Sequence, residues 1–135
     1  MKTEAKGDTE YPTVFDFTIG SWMESRQLEW TGGCLVHRPS RGASPICVTL
    51  SASAGDWRRF WAAVEAANVW QWQKYYDNPS ILDGTQWCLE ISRLGRHVAS
   101  GGSNAYPGSD GPGYPRTCEF AKFLKAVQNL TGQKF

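Results

Sequence analysis

Apolar and polar residues alternate over residues 14–22, with Phe15, Phe17 and Ile19 on one side and Asp16, Thr18 and Gly20 on the other. This two-residue period is that of a half-buried strand. A second strand is expected over residues 24–30. Gly32-Gly33 then turns the chain into a short third strand over residues 34–38, a hairpin pattern that favours antiparallel pairing. Residues 39–45 carry no period and read as a loop before a fourth strand over residues 46–51. From there the period lengthens. Ser53 followed by Asp56 has the form of a capping box, and Trp57, Phe60, Trp61 and Val64 recur at helical spacing. The pattern predicts a one-sided helix that Asn68 can stop in the left-handed conformation.

Over residues 69–82, Trp70, Trp72, Tyr75 and Tyr76 are interleaved with Gln71, Gln73, Lys74 and Asp77 in no single period, so the stretch reads as an irregular connection. A turn at Asp83-Gly84 leads into a fifth strand over residues 85–92, where Trp87, Leu89 and Ile91 point one way and Gln86, Cys88 and Glu90 the other. Gly95 closes a hairpin to a strand over residues 96–100. Residues 101–116 hold five Gly and three Pro and read as a loop that forms neither ladder nor helix. The second helix is expected to start near Thr117, to bury Phe120, Phe123, Leu124, Val127 and Leu130, and to stop at Gly132.

These elements predict an α+β domain: an antiparallel sheet of about five or six strands with two amphipathic helices on one face, in the order ββββαββα. Alternating strands leave the other face polar. Residues 1–13 form a polar tail and residues 14–135 a single domain.

Composition narrows the function classes more than it selects one. The 135 residues suffice for one core, and 41% hydrophobic against 20% charged residues, with 7 Trp, describe a folding chain rather than a disordered one. The formal net charge is +1, and the only adjacent basic pair near the aromatic region is Arg58-Arg59. A duplex binder neutralises about 6–10 phosphates from a clustered basic face, so nucleic acid is a minor reading. A single strand stacked on Trp and Tyr would have only Arg58, Arg59 and Lys74 beside it. The polar start of the chain lacks the apolar core of a secretory signal, and no run approaches the ~18 apolar residues of a membrane span. The compartment therefore reads as cytoplasmic. In that setting Cys34, Cys47, Cys88 and Cys118 are expected to be free and mostly buried thiols.

The segment Asp83-Gly84-Thr85-Gln86-Trp87-Cys88-Leu89-Glu90-Ile91, followed by Gly102-Ser103-Asn104-Ala105-Tyr106-Pro107 and a Phe-rich terminal helix, resembles a group of small uncharacterised bacterial α+β proteins. The resemblance covers roughly the C-terminal half. It implies no activity, ligand or partner.

Two regions can carry function. In the Gly-rich loop, Ser103, Asn104 and Tyr106 offer directional hydrogen bonds beside backbone that a ligand can approach; alternatively, Asn104 caps a turn and Tyr106 plugs the sheet edge. The aromatic group Trp70, Trp72, Tyr75 and Tyr76 is either an exposed recognition surface or the outer seal of the core. Neither a dinucleotide fingerprint nor a phosphate loop is present, so no cofactor is implied. Cys34 and His37 are three residues apart on a strand and so face opposite ways, which argues against a metal. Glu90 is expected to pair with Arg93 or Arg96.

The sequence thus favours a non-enzymatic binding module that recognises a protein or small ligand, with a homodimer through the aromatic surface as an extension. The competing reading is a small hydrolase or transferase with a pocket between the Gly-rich loop and the helices, using Cys88 or Ser103, or Cys47, with His97.

Overall fold

The computed structural model describes residues 10–21, 24–41, 47–78, 84–107, 117–133 and 135. Strands β1 (Val14–Gly20), β2 (Glu24–Thr31), β3 (Cys34–Arg41) and β4 (Val48–Leu50) precede helix α1 (Ala54–Ala66) and a 3-10 turn, Val69–Gln71. Then follow β5 (Tyr75–Asp77), β6 (Gln86–Arg93), β7 (Arg96–Ser103) and helix α2 (Cys118–Thr131). The strands form one seven-stranded sheet in the order β4-β3-β2-β1-β6-β7-β5. All neighbours are antiparallel except β5 and β7, which run parallel.

The local signals for the helices act as expected. The Ser53 hydroxyl accepts from the Asp56 amide at 3.1 Å while the Asp56 carboxylate accepts from the Ser53 amide at 2.9 Å. These bonds hold the Asp56 carboxyl below its ordinary range, the Ser53 backbone bond contributing most. Trp57, Phe60, Trp61 and Val64 are all buried, and Asn68 ends the helical segment with φ 58°. Thr117 caps α2 and Gly132 stops it at φ 73°.

Both helices lie on the face that carries Phe15 and Phe17. Phe15 meets Trp57 and Phe60 of α1, and Phe17 meets Phe123 of α2 edge-on at 5.0 Å. Aromatic contacts of this kind add to the gain from buried apolar area. The inner face is continued by Leu28, Leu35, Trp87, Leu89, Ile91 and Val98. His37 is on this side too, 4% exposed, with its ring 5.0 Å from that of Phe135 and no hydrogen-bond partner for Nε2. Burial, and secondarily the nearby Arg26 charge, hold its imidazole below the ordinary pKa.

The sheet is wider than the sequence pattern implied, and it is mixed. β5 arises within the stretch that read as an irregular connection, and Gly101, Gly102 and Ser103 belong to β7 rather than to the loop. Gly102 explains both. A Cβ there would stand 2.4 Å from the Trp87 indole nitrogen and 2.4 Å from the Ala105 carbonyl, so only glycine lets the Trp87 ring and the following loop close over the strand. β3 likewise runs three residues beyond its expected end. Pro39 is accommodated opposite Arg26 because β4 pairs only with Leu35–His37, leaving β3 at an edge there. Ile46 and Trp22, expected in strands, lie outside the described residues, as do residues 1–9 of the polar tail. The tail residues that are described pack on the body: Pro12 is buried, Tyr11 stacks on Trp30, and the Trp61 indole N–H donates to the Glu10 carbonyl at 2.8 Å.

Candidate functional site

The side chains expected to form an aromatic recognition surface divide across the sheet. Trp72 and Tyr76 are 7% and 5% exposed and belong to the core. The Trp72 ring lies edge-on to Trp87 at 5.6 Å and stacked on Phe120 at 5.9 Å, and its indole N–H donates to the Ala67 carbonyl at 3.2 Å. Tyr76 stacks on Trp87, and its hydroxyl accepts from the Gln73 amide at 2.7 Å. Burial pushes this phenol above its ordinary pKa, although the Gln73 bond acts the other way. Trp70 is half-buried, stacked on Trp61, with the Arg96 guanidinium 4.6 Å above its ring. Tyr75 alone of the four is exposed, at 57%. The four side chains therefore do not form one exposed patch; for Tyr75 and Tyr76 the reason is parity, since along β5 alternate side chains face opposite sides of the sheet.

The described start of the Gly-rich loop is a clamp. The Asn104 side-chain oxygen accepts from the Thr85 amide at 3.0 Å, and the Asn104 amide donates to the Thr85 carbonyl at 2.9 Å, with Asn104 itself at φ 56°. Tyr106 is 2% exposed with its ring 4.7 Å from Phe120, and the Trp87 indole N–H donates to the Ala105 carbonyl at 3.0 Å. Asn104 and Tyr106 thus secure the end of β7, while Ser103 is half-buried on the strand. Asp83, expected in a turn, and residues 108–116 of the Gly-rich loop fall outside the described residues.

What these buried groups hold in place is a cleft of about 500 Å3 on the face of the sheet opposite the helices. Its axis crosses four strands. Thr18 is paired with Cys88, Cys88 with Gly101 and Gly101 with Tyr75, so the four residues stand side by side on one face. Gly101 makes the hollow: a Cβ there would lie 3.0 Å from the Trp87 carbonyl and 4.0 Å from a Tyr75 ring carbon, and without it the Tyr75 ring faces an open floor. Ala99 extends the floor, Lys74 and Tyr75 form one bank, and Gln86, Cys88, Glu90 and Thr18 line the other side. Glu90 is bonded to the His97 ring at 3.0 Å.

The predicted charge pairing of Glu90 is thereby corrected. Arg93 and Arg96 project to the helix side, Arg93 over the Trp61 ring at 4.8 Å and Arg96 to Glu65 at 2.5 Å, because residues three apart on a strand face opposite ways. The thiol expectation is corrected too. All four cysteines are free and exposed, Cys88 because it occupies the polar parity of β6. Cys34 and His37 do face opposite sides, Cys34 exposed and His37 buried, and among the described residues no three His, Cys, Asp or Glu side chains converge as a metal site would need.

Nor does the fold bring His97 to Cys88, Ser103 or Cys47, the nucleophiles the sequence offered. His97 is paired with Ser92, four residues along β6 from Cys88, which is roughly 13 Å at strand rise. Ser103 stands six residues along β7, roughly 20 Å away. Proton transfer needs hydrogen-bond reach. Cys47 lies beside β4, at the opposite edge of the sheet.

Of the residues lining the cleft, sequence reasoning had singled out Tyr75 as a binding residue, had named Lys74 only beside a stacked nucleic-acid strand, and had missed Thr18, Gln86, Ala99 and Gly101. The polar parity of Gln86, Cys88 and Glu90 was the available signal. It needed the pairing of Cys88 with Gly101 to become a cleft.

No protein-family model matches the chain. No curated protein matches it either.

Proposed function

We propose that the protein is a binding module that takes up a small ligand on the helix-free face of its sheet, in the cleft between Tyr75 and Thr18. The observation that carries this reading is the exposed Tyr75 ring standing over the side-chain-free floor at Gly101. An aromatic ring beside an open, mostly apolar hollow offers stacking area at small conformational cost, and the few polar groups around it can fix a ligand's orientation. The buried aromatics beneath support the same reading, because a binding surface needs a rigid base. Trp72, Tyr76 and Trp87 supply it from the other side of the same strands.

The test is a chemical-shift map. Small aromatic fragments added to 15N-labelled protein should shift the amides of Cys88, Ala99 and Gly101, and Tyr75→Ala should remove the effect while leaving the rest of the spectrum in place. Shifts confined to another part of the surface would overturn the assignment.

A further inference from the structure

The ligand itself can be described further, on the basis of the binding reading above. The cleft has a polarity. Lys74 stands on the β5 bank and Glu90 on β6, with Ala99, Ser100, Gly101 and Gly102 of β7 between them. Two strand spacings, ~10 Å, separate the two banks at the backbone. Beyond Glu90 the anionic side continues: Asp16 of β1 is its direct cross-strand partner, and Glu29 of β2 is in turn the partner of Asp16.

Three carboxylates in one row repel one another when placed directly opposite across a sheet. The third is compensated within the fold, since the Arg38 guanidinium meets Glu29 at 2.5 Å. The other two are not compensated in this way. Asp16 accepts from the uncharged Gln27 amide at 3.1 Å and Glu90 from the His97 ring at 3.0 Å, and among the described residues neither forms an ion pair with a lysine or arginine. A cation bound at this end of the cleft would meet the Glu90 carboxylate, with Asp16 at the next position of the same row. At the other end Lys74 repels a cation and leaves the Tyr75 face for an uncharged ring.

We infer that the cleft binds a small aromatic amine, with its ring over Gly101 against Tyr75 and its protonated nitrogen directed to Glu90 and Asp16. The apolar floor selects a flat body, the carboxylates select the charge, and Lys74 sets the direction.

Three probes of one shape test this: tryptamine, neutral 3-methylindole and anionic indole-3-propionate, each titrated into the 15N-labelled protein at low ionic strength. Tryptamine should move the Cys88, Ala99 and Gly101 amides and bind roughly two- to fivefold more tightly per carboxylate than 3-methylindole, the range of a partly exposed ion pair. That advantage should shrink with added salt. It should vanish in Asp16→Asn combined with Glu90→Gln, whose spectrum also reports whether the variant remains folded. Equal or tighter binding of 3-methylindole or indole-3-propionate at the same amides would overturn the amine assignment and leave the cleft as the site. If none of the three moves those amides, the binding reading falls with it.

Discussion

The two sides of strands β5, β7 and β6 carry similar residue types and do opposite work. On the helix side Trp72 and Trp87 close against Phe120 and Phe123 with Tyr76 stacked on Trp87, and both indole N–H groups have a backbone acceptor. On the other side Tyr75 stands beside Gly101 along the cleft. An aromatic side chain in this protein is therefore assigned its role by the face it occupies. One face gains from dense packing, which is unforgiving of lost volume; the other presents area to solvent and tolerates change.

The largest expected effect follows on the packed side. Trp72→Ala removes a ring enclosed by Trp87, Phe120 and Phe123, and should cost about 3–5 kcal/mol, enough to unfold much of the chain in urea or thermal melts. A variant that melts like the wild type would erase the distinction between the faces. Next comes the clamp at the end of β7. Asn104→Ala leaves the Thr85 amide without its side-chain acceptor and should cost about 1–3 kcal/mol in urea titrations. Asn104→Asp keeps an acceptor in place and should lose less.

The two histidines sharpen the comparison, since His37 is on the packed face and His97 on the open one. Burial holds the His37 imidazole below its ordinary pKa of 6.5. Above that value both the folded and unfolded chains carry it neutral and stability is unaffected. As pH falls below 6.5 the unfolded chain takes up a proton that the folded one resists, so stability declines on acidification. Thermal melts between about pH 7.5 and 5.5 should show this decline, and His37→Gln should flatten it. An unchanged slope would mean that other groups set the acid response.

The smallest effect belongs to the open face. Tyr75→Ala should alter stability by no more than ~0.5 kcal/mol, as for an exposed side chain without structural partners, while abolishing fragment binding in the cleft. A large loss of stability would place Tyr75 with its buried neighbours instead.

What could be read in advance depended on how local its cause was. Both helices were legible because their signals are contained within a few residues. The Ser53 hydroxyl meets the Asp56 amide three positions on, the buried stripe repeats every turn, and Asn68 and Gly132 stop the chain by their own backbone preference. The inward parity of Phe15, Phe17, Trp87, Leu89 and Ile91 was legible for the same reason. β5 was not. Three residues give no period, and Tyr75–Asp77 become a strand only because β7 continues through Gly101 and Gly102 to pair with them. The hinge of the misreading was the glycine pair, which taken alone signals a loop and taken with Trp87 signals a strand that needs room for a ring.

The sequence by itself determined two one-sided helices, a sheet with one apolar face, and the polar character of Gln86, Cys88 and Glu90 on the other. It also determined that the chain has aromatic side chains in excess of what helix and strand patterning place. Tertiary structure alone decided which of these are core and which are surface, that Asn104 and Tyr106 are fasteners, and that Thr18, Cys88, Gly101 and Tyr75 share one row. The physical reason is that local period fixes which side of its own element a residue faces, whereas a cleft is made by register between strands distant in the chain, and register is settled by long-range packing.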